Sequence, residues 1–109
     1  MKKKTPTEVE IKFIDFVRSI IKRPALFEIN KIEDLAFILS GYLSALSGEE
    51  KKGVFIFLKD FKHFVCRHFK FKKDSTWQRL IRFYSGSDNN SLSLFNKLFE
   101  GFLDKNYKE

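Results

Sequence analysis

Apolar side chains recur every three or four positions along five separate stretches of the chain, and this spacing limits the fold more than any other feature. The first stretch places Val9, Phe13 and Ile20 on one helical face, and equivalent stripes follow as far as residue 103. Residues spaced in this way share one face of an α-helix, whereas a half-buried strand alternates apolar and polar residues. No such alternation occurs along the chain. The sequence therefore predicts an all-α fold.

Capping residues and a proline mark the ends of the first predicted helix. Thr5 and Glu8 have the spacing of a capping box, and Pro6 between them suits the first helical position. Pro24 cannot continue a helix and disfavours the helical conformation of the residue before it. We therefore expect the first helix to begin after Thr5 and to end near Lys22.

The second predicted helix is apolar almost all the way round. Asn30 is expected to cap its start, and Gly48 is expected to end it. Its main stripe consists of Ile32, Leu35, Ala36, Leu39, Tyr42, Leu43 and Leu46. Phe37 and Ile38 lie off this stripe, so the pattern predicts that this helix is the central one.

Three more helices follow, separated by short polar connections. Val54 and Phe57 begin the buried stripe of the third helix, which continues to His68. The fourth opens at Ser75 with a second capping box and is expected to bury Tyr84, and the fifth runs from about residue 89 to residue 104. Short connections make consecutive helices neighbours.

The length of the chain is that of one domain. At 109 residues with 43% hydrophobic and 32% charged residues, it has the composition of a globular protein with one modest core. Fourteen of its residues are Phe, and Phe contributes strongly to burial. We expect a compact single-domain bundle of about five helices over residues 1–109, with residues 1–5 as a basic tail.

The net charge of +7 is distributed unevenly along the chain. Residues 28–50 contain five acidic residues and one basic residue, whereas residues 51–82 contain ten basic residues and two acidic ones. Such an asymmetry steers charged partners to particular parts of a surface. It therefore restricts the partner more than the total charge does.

The residue pattern does not favour an enzyme. His63, Cys66 and His68 are the one candidate group for a metal or a nucleophile, and His68 points away from the other two on a helix. Zinc requires three or four converging ligands, and a catalytic cysteine requires a base and an oxyanion site. No glycine-rich phosphate motif is present either. We expect no catalytic residues, no metal and no cofactor.

Targeting features are also absent from the sequence. The basic start lacks the apolar segment of a signal peptide, and no window has the length and hydropathy of a membrane span. The single cysteine, Cys66, allows no internal disulfide. These features predict a cytoplasmic protein with no membrane association.

Nucleic-acid binding is one alternative that the basic half of the chain allows. Ten basic residues could supply the several phosphate contacts that such binding needs. Phe57, Phe61, Phe64 and Trp77 follow the buried helical period, however, so they are expected in the core rather than stacked on bases. A small basic nucleic-acid-binding or regulatory protein therefore stays open as the alternative.

Two blocks of the sequence resemble a family of small bacterial proteins. The run RPALFEINKIEDLAFILSGYLSAL has an Arg-Pro pair, an aromatic residue, a short link and a helix that contains Gly-Tyr, and WQRLIRFYSGSDNNSLSLFNKLFEGFL follows later. These blocks are similar to immunity proteins of polymorphic and contact-dependent growth inhibition toxins. The matching positions are Arg23, Pro24, Phe27, Gly41, Tyr42 and Trp77. Leu26 stands where the pattern has Met, and Ile29-Asn30 replaces a link that contains Gly.

The resemblance implies a fold and a function. The matching residues have structural roles in the family-like pattern, including a close contact between helices at Gly41. The resemblance implies that the chain binds and neutralises a cognate toxin, expected to be a nuclease domain, by blocking its active site or substrate entry. A basic nuclease groove would select the acidic stretch, which contains Glu28, Glu33, Asp34, Glu49 and Glu50, with Phe37 as an anchor unless that ring lies in the core.

Two other surfaces stay open at this point. An acidic toxin would instead select the basic surface that contains Lys59, Lys62, Lys72 and Arg79. An accessory subunit that covers its apolar surface with another copy of itself would need neither charged surface.

Overall fold

The computed structural model describes residues 3–108 and confirms the all-α prediction. Within this range the chain forms five α-helices and one short 3-10 helix. It has no β-strand there, and its one β-type pairing is an isolated bridge between Lys4 and Tyr107. The α-helices are α1 (Glu8–Lys22), α2 (Ile32–Ala45), α3 (Gly48–His68), α4 (Trp77–Ser85) and α5 (Asp88–Asn106), and the 3-10 helix is Pro24–Phe27. None of the helices in the described range is long and apolar enough to span a membrane.

The start of α1 differs from the prediction by two residues. Thr7, rather than Thr5, caps the helix: its hydroxyl accepts from the backbone N–H of Glu10 at 3.2 Å, and the Glu10 carboxylate accepts from the N–H of Thr7 at 2.8 Å. The capping-box spacing occurs twice in succession, so sequence alone could not choose between the two threonines. Lys4 pairs with the end of the chain through backbone hydrogen bonds to Asn106 and Lys108, which keeps the residues before Thr7 out of the helix.

Both predicted ends of α2 are wrong. The side chain of Asn30 does not cap the helix; its backbone N–H donates instead to the Asp34 carboxylate at 2.9 Å, and Lys31 occupies the capping position. The helix ends at Ala45, and Gly48 is the first residue of α3 with a φ of +59°. That left-handed conformation favours glycine. Gly48 therefore begins the next helix rather than ending this one.

The core is centred on α3 rather than on α2. Helix α3 packs against each of the other four helices and buries Val54, Phe57, Phe61 and Val65. The ring of Phe61 is fully buried and meets four other aromatic rings edge-on, with centroids 5.5–5.8 Å apart. Edge-to-face packing of this kind adds to the burial of each ring. The prediction of a central α2 was wrong because its apolar residues do not all face the interior.

Long-range polar contacts join α1 to α5 and to the residue that follows α5. The hydroxyl of Tyr107 donates to the Glu10 carboxylate at 2.7 Å, and burial raises the pKa of the Tyr107 phenol well above its usual value. The phenol therefore stays protonated and keeps donating to Glu10. Arg18 donates two hydrogen bonds to Glu100, at 2.9 and 2.7 Å, which join α1 to α5.

Candidate binding surface

The outer face of α2 carries the most exposed large apolar side chain of the described range. Phe37 lies in the first half of the helix and is 80% exposed, whereas its neighbours Leu35, Ala36 and Leu39 are buried. Full burial of a Phe side chain stabilises a fold or a complex by about 1.5–3 kcal/mol. In the isolated chain Phe37 does not make this contribution, because its ring is exposed. Phe37 is therefore available to a partner and is not a core residue.

Small residues follow Phe37 along the same helix. Ser40, Gly41 and Ser44 lie three, four and seven positions after the ring, and all three are exposed. Positions at these separations lie on the same side of an α-helix. We call Phe37, Ser40, Gly41 and Ser44 the α2 face.

Gly41 has no packing role among residues 3–108. A Cβ placed on Gly41 would have no heavy atom of these residues within 4 Å apart from its immediate neighbours and its own helix backbone, and its φ is not in the left-handed region. The expected close contact between helices at Gly41 is therefore not made by the fold itself. A glycine inside a helix is about 0.8–1 kcal/mol less favourable than alanine, so the fold gains nothing from it. It does leave the backbone open to close approach.

A groove lies between α2, α3 and α4, next to Phe37. A cavity of about 200 Å³ is lined by Glu33, Ala36, Phe37, Ser40 and Gln78. A second cavity, of about 340 Å³, is lined by Leu43, Phe55, Leu58, Lys59, Lys62, Thr76, Trp77 and Gln78. The two cavities share Gln78. An apolar side chain of a partner could thus enter beside Phe37.

The predicted acidic residues do not form one patch. Glu33 and Asp34 lie in the first turn of α2, and Glu28 follows the 3-10 helix just before it. Glu49 and Glu50 lie in the first turn of α3. The 14 residues of α2 separate the two groups by about 20 Å along the helix axis. Phe37 lies between these two acidic ends.

Glu33 is already engaged within the chain. Arg82 of α4 donates two hydrogen bonds to its carboxylate, at 3.0 and 2.7 Å, and a third to Asp88 at 2.9 Å. The hydrogen bonds from Arg82 lower the pKa of Glu33 from its ordinary 4.5 to about 2. Arg82 thus joins α2, α4 and the start of α5. We assign Glu33 a structural role at the edge of the surface.

The pKa of Glu33 predicts a specific loss of stability in acid. Because its folded-state pKa is depressed, the ion pair stabilises the fold fully above about pH 4.5 and progressively less as pH falls toward 2. Both side chains are partly exposed, so the effect is modest. Urea unfolding should show the wild type more stable than Glu33→Gln at pH 7. This difference in the free energy of unfolding should shrink as the pH falls from about 4.5 to 2.5. Glu50→Gln, at an exposed carboxylate, is the control; an advantage of the wild type over Glu33→Gln that is constant across the range would contradict the assignment.

The predicted basic surface also divides into separate parts. Lys59 and Lys62 line the larger cavity, and Lys62 binds Asp74 at 2.7 Å. Lys72 lies in the loop between α3 and α4, and Arg79 is exposed on α4. Only the first two therefore border the groove beside the α2 face.

The candidate metal or nucleophile residues lie at the C-terminal end of α3. His63 and His68 are exposed and Cys66 is half-buried. Across residues 3–108, no three His, Cys, Asp or Glu side chains form a group that could hold a metal ion.

The predicted burial of aromatic residues is confirmed for three rings and wrong for Tyr84. Phe57, Phe61 and Trp77 are buried as predicted, and Phe64 is half-buried. Tyr84, which was expected on the buried side of α4, is 46% exposed. Phe55 and Phe83 are further exposed rings that were not among the predicted binding residues. The one sequence feature that indicated their exposure was a position outside the buried stripe, of α3 for Phe55 and of α4 for Phe83.

Comparison with known proteins found no match among protein-family models, curated proteins or solved structures. The resemblance to immunity proteins stays a prediction based on the two sequence blocks.

Proposed function

We propose that this chain is an immunity protein that binds and neutralises a bacterial toxin domain through the α2 face. The observation that carries the proposal is the exposed Phe37 ring next to Gly41 on the outer side of a helix. The two family-like sequence blocks supply the class of partner. A toxin inhibitor needs a binding surface and no catalytic group of its own.

Phe37 has the properties of an interface anchor. Binding energy in protein complexes is concentrated in a few side chains, often aromatic, that become fully desolvated at the centre of the contact. Phe37 is large and mostly exposed, and it borders a cavity that a partner side chain could fill. Its burial against the toxin gives a slow dissociation rate.

Gly41 and the two serines allow the toxin backbone to come close. Side chains at Ser40 and Ser44 are short, and Gly41 has none. A helix or loop of the toxin can thus lie directly against the α2 backbone next to the Phe37 ring. This accounts for a glycine that the fold itself does not use.

The acidic residues at the two ends of α2 favour contacts with basic side chains of a partner at those positions. Glu28 and Asp34 lie near one end, and Glu49 and Glu50 lie near the other. Complementary charges around an apolar anchor raise the association rate and reject partners of the wrong sign. Nucleases that bind phosphates present basic grooves, so a nuclease toxin is the partner that fits this arrangement. Occupation of such a groove blocks substrate entry.

Co-expression with the toxin domain encoded next to this chain tests the proposal. We expect growth to be restored when the full chain is present, and a 1:1 complex to persist on a gel-filtration column at roughly 0.3 M salt, where weak phosphate contacts are largely lost. The same chain should give no protection against an unrelated toxin with the same activity. Absence of both protection and a complex would contradict the proposed function.

A further inference from the structure

The C-terminal half of α4 and the end of α3 form a second exposed cluster, which consists of aromatic and basic residues. Phe83 is 77% exposed, and its neighbour Tyr84 is about half exposed. From this cluster we infer a binding surface for single-stranded nucleic acid, separate from the proposed toxin contact. The surface consists of Phe69, Phe83 and Tyr84 with Arg79 and Lys70, and we call it the aromatic–basic platform.

The rings of the platform are held in fixed positions by one another. Tyr84 stacks on Phe69 with the ring centroids 4.2 Å apart and the planes only 6° from parallel. Phe83 meets Tyr84 edge-on at 4.9 Å, and His68 meets Phe69 edge-on at 4.8 Å. Phe69 is half-buried against the core and stacks on one face of Tyr84, so Phe83 and Tyr84 are the exposed rings of the platform. Exposed aromatic rings held in fixed orientations are the elements on which unpaired bases stack.

Basic residues adjoin the rings along the chain. Arg79 lies one helical turn before Phe83, so both are on the same side of α4. Residues 67–73, which include Phe69, contain four basic residues and no acidic one. Backbone hydrogen bonds from Lys70 to Arg67 (3.1 Å) and from Phe71 to Cys66 (2.9 Å) fix the turn after α3. The backbone that carries Lys70 is therefore fixed directly after Phe69, at the end of α3.

This combination fits a single strand better than a duplex or a protein. A single strand exposes both the faces of its bases and its phosphates, which match rings and cations respectively. A duplex hides its base faces within the stack. The local positive charge is complementary to a polyanion, whereas the acidic residues that suit a basic protein lie at the ends of α2. Stacking does not require the 2′-hydroxyl, so RNA and DNA share the chemistry that the platform would recognise.

Fluorescence anisotropy with labelled oligonucleotides of about 16 nucleotides tests the inference with the full chain. Single-stranded RNA, single-stranded DNA and duplex DNA are compared between 50 and 300 mM salt. We expect both single strands to bind more tightly than the duplex, with affinities that fall steeply with salt. Tighter binding of RNA than of DNA would add a contact to the 2′-hydroxyl; equal binding would mean stacking and phosphate contacts alone.

Single substitutions then separate the platform from the rest of the basic surface. Phe83→Ala should weaken single-strand binding by roughly 5- to 100-fold, and Arg79→Gln should reduce the slope of log affinity against log salt by about 0.7. Phe55→Ala is the matched control, because Phe55 is an exposed ring beside Lys59 and Lys62. Equal or tighter duplex binding, an unchanged affinity in Phe83→Ala, or an equal loss in Phe55→Ala would each overturn the inference.

Discussion

Phe61→Ala is expected to lower the free energy of unfolding by about 3–5 kcal/mol, the largest stability effect of any single substitution considered for this protein. Phe61 is fully buried on α3, the helix that packs against all the others. Its ring contacts four aromatic rings from α4 and α5, so the truncation leaves a cavity whose walls are large and rigid. The surrounding structure relaxes only in part around such a truncation, so most of the cavity remains.

Urea unfolding followed by circular dichroism measures this effect. A domain of this size has a total stability of about 5–15 kcal/mol, so Phe61→Ala removes a large share of it. Phe61→Leu retains more of the volume and should lose less than Phe61→Ala, which keeps the comparison measurable if the alanine variant does not fold. Phe83→Ala, at an exposed ring, should change stability by less than about 0.5 kcal/mol. A loss below about 1 kcal/mol in Phe61→Ala would contradict the packing described for the core.

Phe37→Ala is expected to weaken binding to the toxin by roughly 30- to 1000-fold while leaving stability unchanged. The binding estimate corresponds to an anchor that contributes about 2–4 kcal/mol at the centre of an interface. The stability of the free chain should not change because the ring is 80% exposed and its removal opens no cavity. A substitution that affects binding and spares folding identifies a contact residue.

Surface plasmon resonance on the toxin complex, with parallel urea unfolding, measures both quantities. Most of the loss in Phe37→Ala should appear as faster dissociation. Ile11→Ala, at an exposed apolar residue of α1, should bind within threefold of the wild type. An affinity of Phe37→Ala equal to that of Ile11→Ala would exclude Phe37 as the anchor.

The helical spacing of apolar residues was sufficient to predict the fold class and the approximate limits of α4 and α5. The predicted start of α3 was wrong, because this helix begins at Gly48 and includes residues 49–53, which were expected to separate it from α2. Thr76 rather than Ser75 caps α4. The exact start of α1 was not predictable, because Thr5 and Thr7 each begin the same capping pattern. Which of the two threonines caps α1 depends on the backbone pairing of Lys4 with Tyr107, residues near opposite ends of the chain. Local spacing carries no information about such a contact.

The candidate surface was predictable only in part. The periodicity of α2 placed Phe37 off the main stripe, but a helix that is apolar almost all round can bury that position or expose it. Packing of α2 against α4 decides the outcome. The Glu33–Arg82 ion pair joins residues 49 positions apart, so it removed one acidic residue from the predicted surface without any sequence signal.

The measurement that tests the account most directly is the toxin affinity of Gly41→Leu, taken together with its unfolding free energy. A Cβ at Gly41 meets no atom outside its own helix among the described residues, the position is exposed, and leucine is a better helix former than glycine. The variant should therefore be at least as stable as the wild type. In the complex the new side chain would separate the toxin from the α2 backbone. We predict a loss of affinity of at least 100-fold, with no such loss in Asn96→Leu at an exposed position of α5. A stable Gly41→Leu variant that binds the toxin as tightly as the wild type would show that the α2 face is not the binding surface.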